Sequence, residues 1–133
     1  MPAKFPLIAV VDDEECVRRS IVRLLRSAAM TTQAYACGAD FLRDAAALQA
    51  DCVVLDLHMP RVSGFDVQAL LERQGRGVPV VAITGHDSPQ TRALALAGGA
   101  CAYLRKPVDE ALLLGAIANA LVQREVNRTG AAT

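Results

Sequence analysis

Three short, unbroken apolar runs constrain the fold of this chain more than any other feature. They are Leu7-Ile8-Ala9-Val10-Val11, Cys52-Val53-Val54-Leu55 and Val80-Val81-Ala82-Ile83. Each is strand-length rather than helix-length, and none alternates with polar residues. A strand that is apolar on both faces is buried on both faces, which is the habit of parallel sheets. Each run also ends in oxygen-bearing side chains: Asp12 and Asp13 after the first, Asp56 after the second, Thr84 after the third.

The segments between the runs carry a different period. Val17, Ile21, Leu24, Leu25 and Ala28 recur at helical spacing with arginines between them, predicting an amphipathic helix over residues 14–29. Glu14 and Glu15 fall in its first turn, where the helix dipole favours acids. Residues 32–35 form a weak strand, and Phe41, Leu42, Ala45 and Leu48 mark a second helix. After Gly64, Val67, Leu70 and Leu71 mark a third, broken by Gly75 and Gly77. Ser88-Pro89 is an N-cap and first-turn pair for a fourth, which stops at Gly98-Gly99. Residues 101–104 give a last strand before Arg105-Lys106-Pro107, and Leu113, Ile117, Ala120 and Leu121 give a last helix. Residues 1–126 read as one domain and 127–133 as a tail or the start of a linker. Five strands alternating with five helices predict an α/β fold, a single doubly wound five-stranded parallel sheet.

In such sheets ligands bind beyond the carboxyl ends of the strands. Asp12, Asp13, Asp56, Thr84 and Lys106 all stand at such ends and would converge there. Three carboxylates in one crevice repel one another and call for a cation. Hard oxygen donors with few protein ligands suit Mg²⁺, with Mn²⁺ as the substitute. A carboxylate beside that ion and a lysine can act as a nucleophile toward phosphorus, and a threonine hydroxyl can bond a phosphoryl oxygen. Singly, each residue has a plainer explanation: Asp13 as a turn former, Thr84 as a cap, Lys106 as a solvated cation. Lys106 stands out mildly, because the chain has 12 arginines and only one other lysine, Lys4.

Other classes fit poorly. With 14 basic and 14 acidic residues the net charge is zero, which argues against contact with nucleic acid or an anionic membrane by this domain itself. Nothing approaches the roughly 20 apolar residues that span a bilayer, and the N-terminal run is too short for a secretory signal. The four cysteines form no zinc-site spacing with His58 or His86 and read as reduced thiols, so a cytoplasmic location is expected.

The motifs Val10-Val11-Asp12-Asp13-Glu14, Val54-Leu55-Asp56-Leu57-His58-Met59-Pro60 with Gly64, Ala82-Ile83-Thr84-Gly85 and Leu104-Arg105-Lys106-Pro107 occur in that order. Together they resemble the response-regulator receiver family of two-component systems. Thr84-Gly85-His86 and Ala97-Gly98-Gly99-Ala100 are similar to FixJ-like members, which usually carry a C-terminal helix-turn-helix DNA-binding domain. The resemblance implies a flavodoxin-like sheet of order 2-1-3-4-5 and a chain that phosphorylates and dephosphorylates itself rather than acting as an enzyme. Asp56 would be phosphorylated by a sensor histidine kinase. Asp12, Asp13, Asp56 and the His58 backbone carbonyl would hold Mg²⁺, and Thr84 and Lys106 would bind the phosphoryl oxygens. Thr84 and Tyr103 would form the switch, a cis bond before Pro107 would aim Lys106, and phosphorylation would favour a homodimer through the face made by the fourth helix, fifth strand and fifth helix. The family often has Ser or Thr at Cys37 as a helix cap, so a weaker cap is expected here. His58 and His86 are expected to be solvated rim residues.

Three alternatives compete. A haloacid-dehalogenase-like phosphatase uses similar groups, but its acidic pair comes last in the chain and it has an acid two residues after the nucleophile, where His58 stands. A pseudo-receiver would lack Asp56 or Lys106. A stand-alone receiver would have no output domain.

Overall fold

The computed structural model describes residues 5–75 and 77–131. The elements in chain order are β1 (Leu7–Val11), α1 (Glu15–Ser27), β2 (Thr31–Tyr35), α2 (Gly38–Leu48), β3 (Cys52–Asp56), α3 (Gly64–Arg73), β4 (Val80–Thr84), α4 (Pro89–Ala97), β5 (Ala102–Arg105) and α5 (Glu110–Ala131). The strands form one five-stranded parallel sheet of order β2-β1-β3-β4-β5. The apolar runs are therefore its centre: every residue of β3 and β4 is buried.

Side chains alternate across the sheet and separate the helices into two layers. Ile8, Val10, Val54, Val81 and Ile83 pack on Ile21 and Leu25 of α1 and on Leu113, Ile117 and Ala120 of α5. Ala9, Val11, Val53 and Leu55 pack on Phe41 and Ala45 of α2 and on Val67 and Leu71 of α3. A smaller cluster of Leu57, Ala82, Ala95 and Ala100 lies under α4, with Phe65 and Tyr103 at its border. Each large side chain so buried stabilises the fold by about 1.5–3 kcal/mol before entropy is counted.

Capping explains where the helices begin. Ser63 and Asp66 form a reciprocal capping box at α3, and Ser88 accepts from Thr91 N–H with Pro89 in the first turn of α4. At α2 the cap position is Cys37, which makes no side-chain cap bond. Gly75 and Gly77 both have positive φ after α3, as its termination required.

One boundary differs from expectation. The last helix does not stop near Glu125; α5 continues to Ala131, through residues read as a tail, while residues 132 and 133 lie outside the described part. Arg124 Nη1 donates to Ala50 O at 2.6 Å, and Gln123 bonds Asn127 one turn on, so the helix is tied to the body just where its apolar period fades. All four cysteines are free, but Cys16 and Cys101 are exposed rather than packed.

Candidate functional site

The parallel register lines up the strand ends. Val11 pairs with Leu55, Asp56 with Ile83, and Thr84 with Arg105, so the residues at or just after those positions share one edge. Asp12, Asp56 and Thr84 are buried there, and Asp13 is exposed beside them. One carboxylate oxygen from each of Asp12, Asp13 and Asp56 lies within 4.8 Å of the others. The Lys106–Pro107 bond is cis, and Lys106 projects into this cluster.

Lys106 Nζ is shared among three carboxylates: 2.6 Å from Glu14 Oε1, 3.0 Å from Asp12 Oδ2 and 3.3 Å from Asp56 Oδ2. Burial alone would lower the lysine pKa, but the bond to Glu14 and the charges of Asp12 and Asp56 outweigh it and raise it. Asp56 is held the other way. Burial chiefly, then repulsion from Asp12, push its carboxyl up to about 7, against the pull of Lys106 and of His58 N–H at 3.3 Å. Burial raises Asp12 as well, although its Oδ1 accepts Glu14 N–H at 2.8 Å.

Asp12 Oδ2 is a buried polar atom of this cluster with no hydrogen-bond donor among the described residues. It is buried, and its approach to Lys106 is a charge contact without hydrogen-bond alignment. An unfilled buried carboxylate oxygen among three acids, with no sulfur or imidazole among the donors, fits a hard divalent cation. A carboxyl pushed so far from its ordinary range is uncommon outside functional sites, which marks this cluster as a candidate site.

Two features went unread in the sequence. The sequence assigns Glu14 only to a first helical turn; in the structure it is the cap residue of α1 and its side chain crosses to Lys106, which lowers the Glu14 pKa. His58 is at the rim and exposed, as expected, but its Nδ1 is 3.0 Å from Thr84 Oγ1, inside the site. Burial, then His86, then Lys106 lower its pKa. Tyr103 is half-buried; its hydroxyl donates to Asp87 Oδ1 at 2.8 Å, and the Arg92 guanidinium lies 5.5 Å from its ring. His86 contributes its backbone N–H to Thr84 Oγ1 at 2.9 Å.

Comparison with known proteins gives the same picture at larger scale. Residues 8–118 match the family model of the response regulator receiver domain. The response regulator protein TmoT of Ectopseudomonas mendocina is 36% identical over 115 residues, 86% of this chain and 52% of that protein. The transcriptional regulatory protein FixJ of Azorhizobium caulinodans is 32% identical over 117 residues, 88% of this chain and 55% of that one. The chain thus spans about half the length of these relatives. Among solved structures, that of the response regulator StyR superposes with a TM-score of 0.87 at 35% identity, over 97% of this chain and 65% of the other.

Proposed function

This chain belongs to the response regulator receiver family of two-component systems, and from that premise we propose that Asp56 is the residue its kinase phosphorylates. The family implies a histidine kinase as partner. In the transfer, an Asp56 carboxylate oxygen attacks phosphorus, the bond from phosphorus to the histidine nitrogen breaks, and the kinase imidazole leaves. Support comes from one observation above all: Asp56 is 2% exposed, yet faces Lys106 and two further acids at the open edge of the sheet.

Asp12, Asp13, Asp56 and the His58 carbonyl would hold Mg²⁺, or Mn²⁺ in its place. Bound there, the ion supplies positive charge for the phosphoryl oxygens. Lys106 would supply a second positive charge, and Thr84 a hydroxyl donor. Receiver domains are not enzymes in the usual sense, and the only chemistry assigned here is gain and loss of a phosphoryl group on the chain's own Asp56.

A phosphoryl group brings negative charge and strong acceptors, so Thr84 is drawn toward it. The space Thr84 vacates admits the Tyr103 ring, which lets go of Asp87 and reshapes the surface of α4, β5 and α5. That surface then pairs two copies of the domain. The relatives' greater length and the description of FixJ as a transcriptional regulatory protein support an output domain that binds DNA. Among the described residues no helix is long and apolar enough to cross a membrane, and the reading places the chain in the cytoplasm with its kinase's catalytic part.

The test is covalent. With Mg²⁺ and acetyl phosphate the protein gains one phosphoryl group that hydroxylamine removes, and Asp56→Asn gains none. An Asp56→Asn variant that accepts phosphate as fast as the parent overturns the assignment.

A further inference from the structure

Thr84 is already occupied before any phosphoryl group arrives. Its Oγ1 accepts the His86 backbone N–H at 2.9 Å, and His58 Nδ1 lies 3.0 Å from the same oxygen. A hydroxyl offers one proton and two lone pairs, so these partners use most of its capacity. The His58 ring is braced for the task. It meets Phe65 edge to face at 5.9 Å between centroids and His86 at 4.7 Å, so three rings form a row along the rim. A solvated rim histidine has no need of two ring neighbours and a bond into a buried hydroxyl. Thr84 itself is fully buried at the end of β4.

The geometry points to His58 as a positioning residue that holds Thr84 away from Asp56 until the phosphoryl group competes for it. The inference rests on the reading of Thr84 as a phosphoryl-binding residue. Switching is then an exchange, in which Thr84 gives up His58 Nδ1 and takes a phosphoryl oxygen. The bond given up belongs to the unphosphorylated form alone, so weakening it favours the switched form. Its worth is that of one ordinary hydrogen bond, which corresponds to about a 2–10-fold change in an equilibrium.

Two substitutions separate the bond from the packing. His58→Phe keeps a ring against Phe65 and His86 but offers Thr84 nothing. His58→Asn gives up the ring but keeps a polar atom close to where Nδ1 sits. The measurement is the midpoint for beryllofluoride in the presence of Mg²⁺, followed through amide shifts of β4 and β5 and checked against the melting temperature of each variant. His58→Phe is expected to bind about 2–10-fold more tightly, and His58→Asn to stay within twofold of the parent. In a Thr84→Ala background His58→Phe is expected to have no further effect, because the residue acts through Thr84. Unchanged or weaker binding by His58→Phe, or an equal gain in the Thr84→Ala background, overturns the inference. A parent that does not bind beryllofluoride, or an Asp56→Asn variant that binds it equally well, overturns the phosphoacceptor reading and this inference with it.

Discussion

Lys106 Nζ sits 2.6 Å from Glu14 Oε1, closer than to either buried aspartate, although 92 residues separate the two in the chain. Glu14 is largely exposed, whereas Lys106 is largely buried. The surface acid therefore competes with Asp56 for the one ammonium in the site.

Glu14→Gln should release that ammonium toward Asp56. Exposed ion pairs contribute little, about 0–1 kcal/mol, so the fold should be unaffected. Reaction with acetyl phosphate should quicken by about 2–5-fold at low ionic strength, measured as the rate of phosphoprotein formation. A slower reaction would mean that Glu14 orients Lys106 rather than diverting it.

The raised pKa of Asp56 makes metal-free stability depend on pH in a set direction. The folded state keeps this proton up to about pH 7, while the unfolded chain loses it near 3.8. The folded form binds more protons across that window, so this group's contribution to stability falls as pH rises from about 4 to about 7. Asp56→Asn should flatten that segment and stabilise the metal-free protein at pH 8 by about 1–3 kcal/mol, or roughly 4 °C in melting temperature per kcal/mol. Melting scans of both proteins in chelator, at pH 5 and pH 8, provide the check.

Divalent metal should reverse that penalty. Saturating Mg²⁺ should raise the melting temperature of the parent, because it relieves repulsion among three carboxylates. Asp13→Ala should lose most of the gain, since Asp13 contributes one of the three clustered oxygens. An equal metal-dependent shift in the variant would place the ion elsewhere.

Two glycines should answer oppositely to the same change. A Cβ at Gly64 would stand 2.4 Å from Asp56 O and 2.6 Å from Leu57 Cα, both backbone atoms that cannot step aside. Gly64→Ala should cost about 1–3 kcal/mol and disturb the end of β3 at Asp56. A Cβ at Gly115 in α5 meets nothing within 4 Å, so Gly115→Ala should stabilise by about 0.5–1 kcal/mol. Denaturant titrations of the two variants test the contrast.

If Tyr103 switches the neighbouring surface, beryllofluoride with Mg²⁺ should move the protein from monomer toward dimer in sedimentation. Tyr103→Ala should stay monomeric. Unchanged mass together with unchanged Tyr103 resonances in the parent would sink that reading.

Much of this could be read from one strand at a time. Asp12, Asp56 and Thr84 were visible because a buried strand writes itself as an apolar run, and whatever follows the run must emerge at the sheet's edge; Lys106 was visible only as the residue after the last, half-buried strand. The sheet order could not be had that way; it came from the family's motifs. Glu14 escaped because a predicted helix over residues 14–29 already accounted for an acid at its start, where Glu14 caps α1, and no local pattern names a partner 92 residues away. His58 escaped for a related reason: exposure measures how much of a side chain meets water and says nothing of where its other nitrogen ends. The length of α5 escaped because its apolar period fades after Leu121, while the bonds from Arg124 and Gln123 continue beyond that point.

The thin seating of α4 bears on the timing of the signal. Of its nine residues only Ala95 is buried, and Gln68 Nε2 holds the helix through the Ala95 carbonyl at 2.9 Å. The other end of that amide, Gln68 Oε1, is buried with no donor among the described residues. An element that gives up so little apolar area opens often, while the strands beneath it open only with the whole domain. Backbone amides of α4 would then exchange with solvent far sooner than those of β3 and β4. The outer surface that a partner meets would be rearranging many times over while the pocket around Asp56 stays still.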